Sequence, residues 1–226
     1  MNLFKRLAIG TANWAKPYNG KQLEEKEIRD ILDYCTCCGI DMLDTAAEYG
    51  SEEIIGRLAN SSFDIVTKGN GDIERSLKSL DRDRVYGYLF RDPDFLSQQF
   101  GRTKWKYGKI GTSLYDDNYN FVGQGGLIQL PYSLMDRRNE SRIELLHQSN
   151  IEIHVRSIFL RGICLEKATP QECLQFVLTN PCVDRVVIGV DSLDQLKEDI
   201  DFIHKWNSMV CNDENIIDPR RWKGEE

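Results

Sequence analysis

Residues 28–44, IRDILDYCTCCGIDMLD, contain one complete repeat of the pattern that determines the fold. The first part carries an apolar stripe at helical spacing, made up of Ile28, Ile31, Leu32 and Cys35. Gly39 then suits a left-handed C-terminal helix cap. The run Ile40–Asp44 that follows is short and apolar, which indicates a buried strand. The segment therefore predicts a helix, a glycine stop and a strand.

Apolar runs of the same kind recur along the chain and alternate with segments of helical character. Eight are predicted as strands: Leu7–Gly10, Ile40–Asp44, Phe63–Thr67, Val85–Phe90, Lys109–Leu114, Gly126–Leu130, Ile151–Ile158 and Val183–Val190. Continuous apolar runs are typical of parallel strands that helices cover on both faces. Thr169 and Ser192 have the sequence context of helix N-caps. The weakest repeat lies between Tyr115 and Gly126, where little room remains for a helix.

Eight alternations of strand and helix without a linker predict an α/β fold, a closed (β/α)8 TIM barrel. We expect a single domain over residues 1–226 with shortened loops, since this length is near the short end for such barrels. An open doubly wound sheet is the main alternative. No Gly-x-Gly-x-x-Gly follows a predicted strand, which disfavours it. In a barrel, the chemistry belongs at the C-terminal ends of the strands.

Composition narrows the classes of partner. Acidic residues number 36 and basic residues 29, giving a net charge of -7, which argues against a nucleic-acid-binding surface. No apolar stretch approaches the length of a membrane span, and the first residues lack the pattern of a secretion signal, so we expect a cytoplasmic protein without a membrane partner. Seven scattered cysteines predict buried thiols rather than a disulfide framework, and we expect no metal site.

Polar residues follow three neighbouring predicted strands. Asp44 and Tyr49 follow the second strand, Lys68 the third and Arg91 the fourth. The plain structural interpretation is a salt bridge between Asp44 and Lys68. The functional interpretation is a proton donor, because a tyrosine gives up its proton near neutral pH only if a nearby cation stabilises the phenolate.

Several motifs together resemble the aldo-keto reductase family over nearly the whole chain. They are Ile9-Gly10-Thr11, Asp44-Thr45-Ala46 with Tyr49-Gly50, Val66-Thr67-Lys68, Leu127-Ile128-Gln129 and the run Val187–Ser192. The resemblance implies NADPH or NADH bound across the barrel mouth, and reduction of a carbonyl group with tyrosine as proton donor. It assigns Asp44, Tyr49 and Lys68 to three of the family's four catalytic positions.

The fourth position, normally histidine, is occupied by Arg91. Arginine donates hydrogen bonds but stays protonated, so it cannot act as an acid or base. Three interpretations stay open: an electrostatic clamp on the carbonyl oxygen, a grip on an anionic substrate group, or a family member that has lost catalysis. The chain is therefore either a reductase or a pseudoenzyme with a binding or regulatory role. A third alternative is an unrelated barrel enzyme in which Lys68 attacks a carbonyl.

The resemblance also implies a set of cofactor contacts, with the preference between NADP and NAD left open. They are Gly10, Thr11, Ser113, Gln129, Arg156, Ser157, Phe159, Arg161, Gly189, Asp191, Ser192, Gln195, Glu198 and Asp199. Leu114 stands where the family has an asparagine. Arg156 stands where an aromatic residue often stacks on the nicotinamide, and its alternative role is that of an internal salt-bridge partner. Asp191 would repel the 2'-phosphate of NADPH.

Substrate contacts are expected from two aromatic residues, Trp14 and Tyr132, as walls of the site. The chain looks like the compact bacterial aldo-keto reductase-like oxidoreductases found among sugar and polysaccharide genes. That likeness implies a small-molecule carbonyl substrate, sugar-derived or anionic, and a place in carbohydrate metabolism.

Overall fold

The computed structural model describes residues 3–18, 20–94, 106–115 and 126–208. Eight parallel strands form a closed barrel in chain order, and the first strand pairs with the last. The strands are β1 (Leu7–Gly10), β2 (Met42–Asp44), β3 (Asp64–Gly69), β4 (Val85–Phe90), β5 (Tyr107–Ser113), β6 (Leu127–Pro131), β7 (Glu152–Arg156) and β8 (Arg185–Gly189). Each overlaps one predicted apolar run, so the predicted (β/α)8 barrel is confirmed.

Helices lie between the strands. They are α1 (Glu25–Cys38), α2 (Glu52–Leu58), α3 (Ile73–Leu80), α4 (Glu140–Gln148), α5 (Pro170–Thr179) and α6 (Leu193–Ser208). Three short 3-10 segments are Leu3–Arg6, Ala47–Tyr49 and Leu160–Glu166. The weak repeat predicted between β5 and β6 falls mostly on residues 116–125, which lie outside the described residues.

The predicted helix ends are confirmed. Gly39 has a φ of 80°, and its N–H donates to carbonyls in the last turn of α1. Thr169 caps α5 in a reciprocal capping box with Glu172. The Ser192 hydroxyl accepts a hydrogen bond of 3.1 Å from the backbone N–H of Gln195 at the start of α6.

The barrel interior has an apolar middle layer that sets which residues reach the mouth. This layer consists of Ala8, Met42, Val66, Leu89, Leu127 and Val187. Side chains alternate across a strand, so residues two positions further along point inward at the C-terminal end. Asp44 follows Met42 by two residues, and Lys68 follows Val66 by two. Both therefore face the inside of the mouth.

The opposite end of the barrel is closed by a polar layer around Glu152. Its carboxylate accepts hydrogen bonds from the Tyr86 hydroxyl at 2.7 Å and pairs with Lys109 and with His154 Nε2. Burial acts to raise the pKa of Glu152, but the contacts with His154, Lys109 and Tyr86 lower it to about 2. His154 is fully buried in this layer, so it does not supply a histidine to the mouth.

The cysteines in the described residues are all free thiols. Cys35, Cys164 and Cys173 are buried, as predicted, whereas Cys37 is exposed. Cys211 lies outside the described residues. In the described part of the chain, no helix combines the length and apolar character needed to cross a membrane.

One carboxyl group in the outer layer is buried without full hydrogen bonding. Asp199 of α6 is 4% exposed, and its Oδ2 has no hydrogen-bond partner among the described residues. Burial, reinforced by the neighbouring charge of Glu198, raises the pKa of Asp199 to about 7. The folded protein therefore binds a proton at Asp199 more strongly than the unfolded chain does.

We predict that Asp199→Asn stabilises the protein at high pH. The proton on Asp199 contributes stability fully below its unfolded pKa of about 4, and that stability is lost as the pH rises through about 7. The stability of Asp199→Asn relative to wild type should thus increase by about 2 to 4 kcal/mol between pH 4 and pH 8. Urea denaturation at several pH values measures this. Asp201→Asn, at an exposed position of α6, is the control and should show no such trend; a parallel trend in both variants would contradict the assignment.

Candidate active site

A buried ion pair lies at the centre of the barrel mouth. Lys68 Nζ is 2.5 Å from Asp44 Oδ1 and donates a second hydrogen bond, of 3.0 Å, to the carbonyl of Thr45. The side chains of Lys68 and Asp44 are 1% and 6% exposed. The salt bridge expected from the sequence therefore exists, and it lies inside the mouth rather than on an exposed rim.

The second carboxylate oxygen of Asp44 is also held. Gln129 Nε2 donates to Asp44 Oδ2 at 2.6 Å, and the Ser113 hydroxyl donates to Gln129 Oε1 at 3.2 Å. Ser113 and Gln129 are paired residues of β5 and β6, and both are buried. A continuous chain of hydrogen bonds thus runs from Ser113 to Lys68 across four strands, and it fixes the direction of the ammonium group.

Tyr49 stands above this network on the 3-10 turn Ala47–Tyr49. Gly50 ends the turn with a φ of 78°, a conformation that glycine adopts without strain. The next residue, Ser51, is buried, and its hydroxyl lies 3.0 Å from that of Thr11 and 3.1 Å from that of Thr45. These three hydroxyl groups anchor the turn to β1 and β2 and so determine where the phenol sits.

Two cations flank the ring of Tyr49. Lys68 Nζ lies 5.6 Å from the ring centroid and Arg91 Cζ lies 5.7 Å from it. Arg91 Nε lies 2.9 Å from a carboxylate oxygen of Glu48. Burial acts to lower the pKa of Arg91, but Tyr49 and Glu48 outweigh this effect and raise it. The structure thus brings the four predicted catalytic residues together.

Arg156, at the end of β7, reaches the same place. Its guanidinium donates to the carbonyl of Leu114 at 2.7 Å and to the hydroxyl of Ser157 at 3.2 Å, and it stacks 4.1 Å from the ring centroid of Tyr115. No carboxylate of the described residues forms an ion pair with it. Within the described residues its contacts are therefore a carbonyl, a hydroxyl and an aromatic ring, and not the carboxylate that an internal salt bridge requires.

The rim formed by β7, β8 and β1 carries several predicted cofactor contacts. Gly10 and Gly189 are paired at the ends of β1 and β8. A Cβ atom at Gly189, or at Gly162 in the loop after β7, would meet nothing within 4 Å. Arg161 in the same loop is exposed. A bound group could therefore approach the backbone at Gly162 and Gly189, with the charged side chain of Arg161 nearby. Ser157 at the end of β7 is exposed and Phe159 is half-buried.

The loop after β8 is tied to the loop after β1. Asn13 Nδ2 donates to Asp191 Oδ1 at 3.0 Å, and the Asp191 N–H donates to Gln195 Oε1 at 2.8 Å. Glu198 is exposed, whereas Asp199 is buried. Both residues were expected to lie near the adenine of the cofactor. Glu198 is accessible to a ligand, whereas Asp199 is not.

Neither of the two expected substrate walls is exposed. Trp14 is fully buried in the core. Tyr132 lies between the barrel and its helices, where its hydroxyl donates to Glu140 at 2.8 Å and its ring packs on Phe176. That placement corrects the prediction for both residues. An aromatic residue that does lie at the mouth, and that the sequence reasoning missed, is Tyr115, which is 65% exposed.

Comparison with known proteins gives a partial match to one family. Residues 6–100 match the model of the aldo/keto reductase family. The match covers less than half of the chain, so it shows a resemblance to that family over these residues. The predicted resemblance is confirmed, and the coarser functional expectation, an oxidoreductase, has support. No curated protein sequence matches the chain.

Solved structures show the same fold at low sequence identity. A proposed aldo-keto reductase from Pseudomonas aeruginosa is 20% identical, with a TM-score of 0.71 over 88% of this chain and 90% of that chain. The holo form of the aldo-keto reductase AKR11C1 from Bacillus halodurans is 22% identical, with a TM-score of 0.71 over 88% of this chain and 86% of that chain.

We predict that Asp44→Asn destabilises the protein by about 3 kcal/mol or more, because it leaves the buried ammonium of Lys68 without a countercharge. The double variant Asp44→Asn/Lys68→Met should recover part of that loss. Urea denaturation of both variants measures the effect. The exposed pair of Lys26 and Asp30, 3.2 Å apart, is the control, and Asp30→Asn should cost less than about 1 kcal/mol. Equal costs at the two sites would contradict a structural role for the buried pair.

Proposed function

We propose that the protein is an NAD(P)H-dependent oxidoreductase that reduces a carbonyl group to an alcohol, with Tyr49 as proton donor. The observation that supports this most directly is the position of the Tyr49 phenol between Lys68 and Arg91. A phenol ordinarily keeps its proton at neutral pH. Cations on two sides stabilise the phenolate that remains after the proton has gone to the carbonyl oxygen.

The surrounding network gives each residue a distinct role. Asp44 positions Lys68 through their ion pair of 2.5 Å, so that the ammonium stays beneath the phenol. Arg91 lies beside the Tyr49 ring and carries a permanent charge. It orients the carbonyl oxygen and stabilises negative charge that develops there. Because Arg91 does not release a proton, Tyr49 is the proton source in this proposal.

The rim residues fit a nicotinamide nucleotide, which supplies the hydride when bound. The open space beside Gly162 and Gly189 lets an anionic group approach the backbone, and the exposed guanidinium of Arg161 offers it a positive charge. Asp191, held by Asn13, places a negative charge near the start of α6, where it disfavours a 2'-phosphate. We leave both nucleotides in the proposal.

A catalytically impaired aldo-keto reductase-like protein with a binding or regulatory role is the second candidate. The observation that favours it is the use of both polar ends of the Gln129 amide inside the network, with Ser113 and with Asp44. A barrel enzyme that uses Lys68 as a nucleophile is disfavoured, because the Lys68 ammonium is buried and paired with Asp44 and Thr45. A sugar-derived substrate, carbohydrate metabolism and the cytoplasm stay predictions from the sequence.

We predict that NADPH or NADH binds with saturation, which fluorescence titration of the purified protein measures. Arg161→Ala should weaken that binding about tenfold, because it removes a charge-assisted contact at the rim. Arg57→Ala, at an exposed position of α2 away from the mouth, is the matched control and should leave the affinity unchanged. Absence of binding of either nucleotide at millimolar concentration would favour the pseudoenzyme.

We predict that Tyr49→Phe lowers kcat about 100-fold or more in a screen of aldehydes and ketones, while the dissociation constant of the nucleotide changes by less than about twofold. The reason is that only the proton donor is removed. Tyr18→Phe, at a half-buried tyrosine on the loop after β1, is the control for loss of a phenol. Normal turnover by Tyr49→Phe would end the proposal that this phenol is the donor.

A further inference from the structure

The charges around Tyr49 do not balance. Lys68 is neutralised by Asp44 and Arg91 is neutralised by Glu48. Arg156 forms no ion pair with any carboxylate in the part of the chain that the structure describes. Among the described residues beside Tyr49, Arg156 is therefore the cation that lacks a carboxylate partner, which favours an anion there.

Arg156 is held in place by neutral groups that leave donors free. Its Nη2 donates to the carbonyl of Leu114 and its Nη1 to the hydroxyl of Ser157. A guanidinium has five N–H donors in a planar fork, so three remain after these two bonds. Stacking on Tyr115, at 4.1 Å from the ring centroid, fixes the plane of the fork. The arrangement is that of a preformed donor set.

Burial adds a driving force for an anion. The environment of Arg156 lowers its pKa, chiefly through desolvation. An incompletely solvated cation gains more from a counterion than an exposed one does, because the medium around it screens the attraction less. A carboxylate bound to Arg156 would replace the stabilisation of its charge that is lost with the surrounding water.

The free donors lie close to the proposed proton donor. Arg156 donates to the carbonyl of Leu114, the residue after Ser113, and Ser113 begins the hydrogen-bond chain that ends at Lys68. An anion on Arg156 is therefore a near neighbour of the oxygen that accepts a proton from Tyr49. A 2-oxo acid, which has its carboxylate and carbonyl on adjacent carbons, is the smallest substrate that offers both groups to this mouth.

We propose that Arg156, with Tyr115 beside it, forms a subsite for the carboxylate of the substrate, and that the substrate class is the 2-oxo acids. This inference rests on the proposed carbonyl reduction. The carbonyl carbon gains a hydride from the nicotinamide nucleotide as the C=O π bond breaks, and the oxygen takes the proton of the Tyr49 hydroxyl. The product is a 2-hydroxy acid, and the carboxylate on Arg156 is unchanged.

A binding experiment tests the subsite without turnover. Calorimetric titration of the nucleotide-loaded protein compares oxamate, which carries a carboxylate beside an amide carbonyl, with oxamide, its neutral counterpart. Oxamate should bind at least about tenfold more tightly, and Arg156→Gln should reduce the ratio to about threefold or less, because the variant lacks the charge. Equal binding of both compounds by the wild type, or equal loss of both in the variant, overturns the subsite. The same titration without nucleotide gives an answer even if no nucleotide binds.

A kinetic experiment compares pyruvate with methyl pyruvate, its neutral ester. Arg156→Gln should lower kcat/KM for the acid about 100-fold and for the ester less than about threefold, with the loss mainly in KM. Arg137→Gln is the matched control, since Arg137 also stacks on an aromatic ring, Phe176, at 4.5 Å, outside the barrel. It should change neither value.

The outcomes separate the two proposals. Reduction of acid and ester at equal efficiency by the wild type overturns the carboxylate subsite and leaves carbonyl reduction standing. Failure to reduce any carbonyl counts against the proposed function, while the oxamate titration still decides the subsite. A loss of nucleotide affinity in Arg156→Gln, without a change in the preference for oxamate over oxamide, assigns Arg156 to the nucleotide and overturns the inference.

Discussion

The ion pair between Lys68 and Asp44 is the interaction on which the rest of the mouth depends. Neither charge is stable alone in a position that is almost fully buried, so each requires the other. Gln129 donates a hydrogen bond to the second carboxylate oxygen of Asp44. The carbonyl of Thr45 accepts a second hydrogen bond from the Lys68 ammonium. With these contacts satisfied, the ammonium has one fixed position, and the phenol of Tyr49 lies against it.

The closed barrel makes this pair possible, because the strand period of two brings particular residues to one inner surface. Asp44 and Lys68 lie two positions beyond the apolar middle layer on β2 and β3, and Gln129 lies two positions beyond Leu127 on β6. The rule that barrel chemistry lies at the C-terminal ends of strands was therefore enough to predict Asp44 and Lys68 from the sequence, whereas Gln129 was implied by the family resemblance.

The aromatic residues show where that rule ends. Tyr115 lies two positions beyond Ser113, which faces inward, and so it continues into the mouth. Tyr132 lies three positions beyond Gln129, and this odd step turns it outward against Phe176. Their positions just after strand ends predict that both tyrosines lie near the rim. Whether each side chain points into the barrel or outward depends on the register of its strand. The hydrogen-bond partners of Arg156 were not predicted for the same reason. They are the carbonyl of Leu114 at the end of β5 and the hydroxyl of Ser157, the next residue in the chain.

Arginine at position 91 changes how the mouth responds to pH as well as what it binds. A histidine there would gain or lose charge near neutrality, whereas a guanidinium keeps its charge throughout the range in which proteins are folded. Tyr49 and Glu48 reinforce that charge by raising the pKa of Arg91. With Arg156 adding a second permanent charge, the field at the phenol comes from groups that do not titrate near neutrality. The positive charge at the mouth therefore persists across the pH range near neutrality.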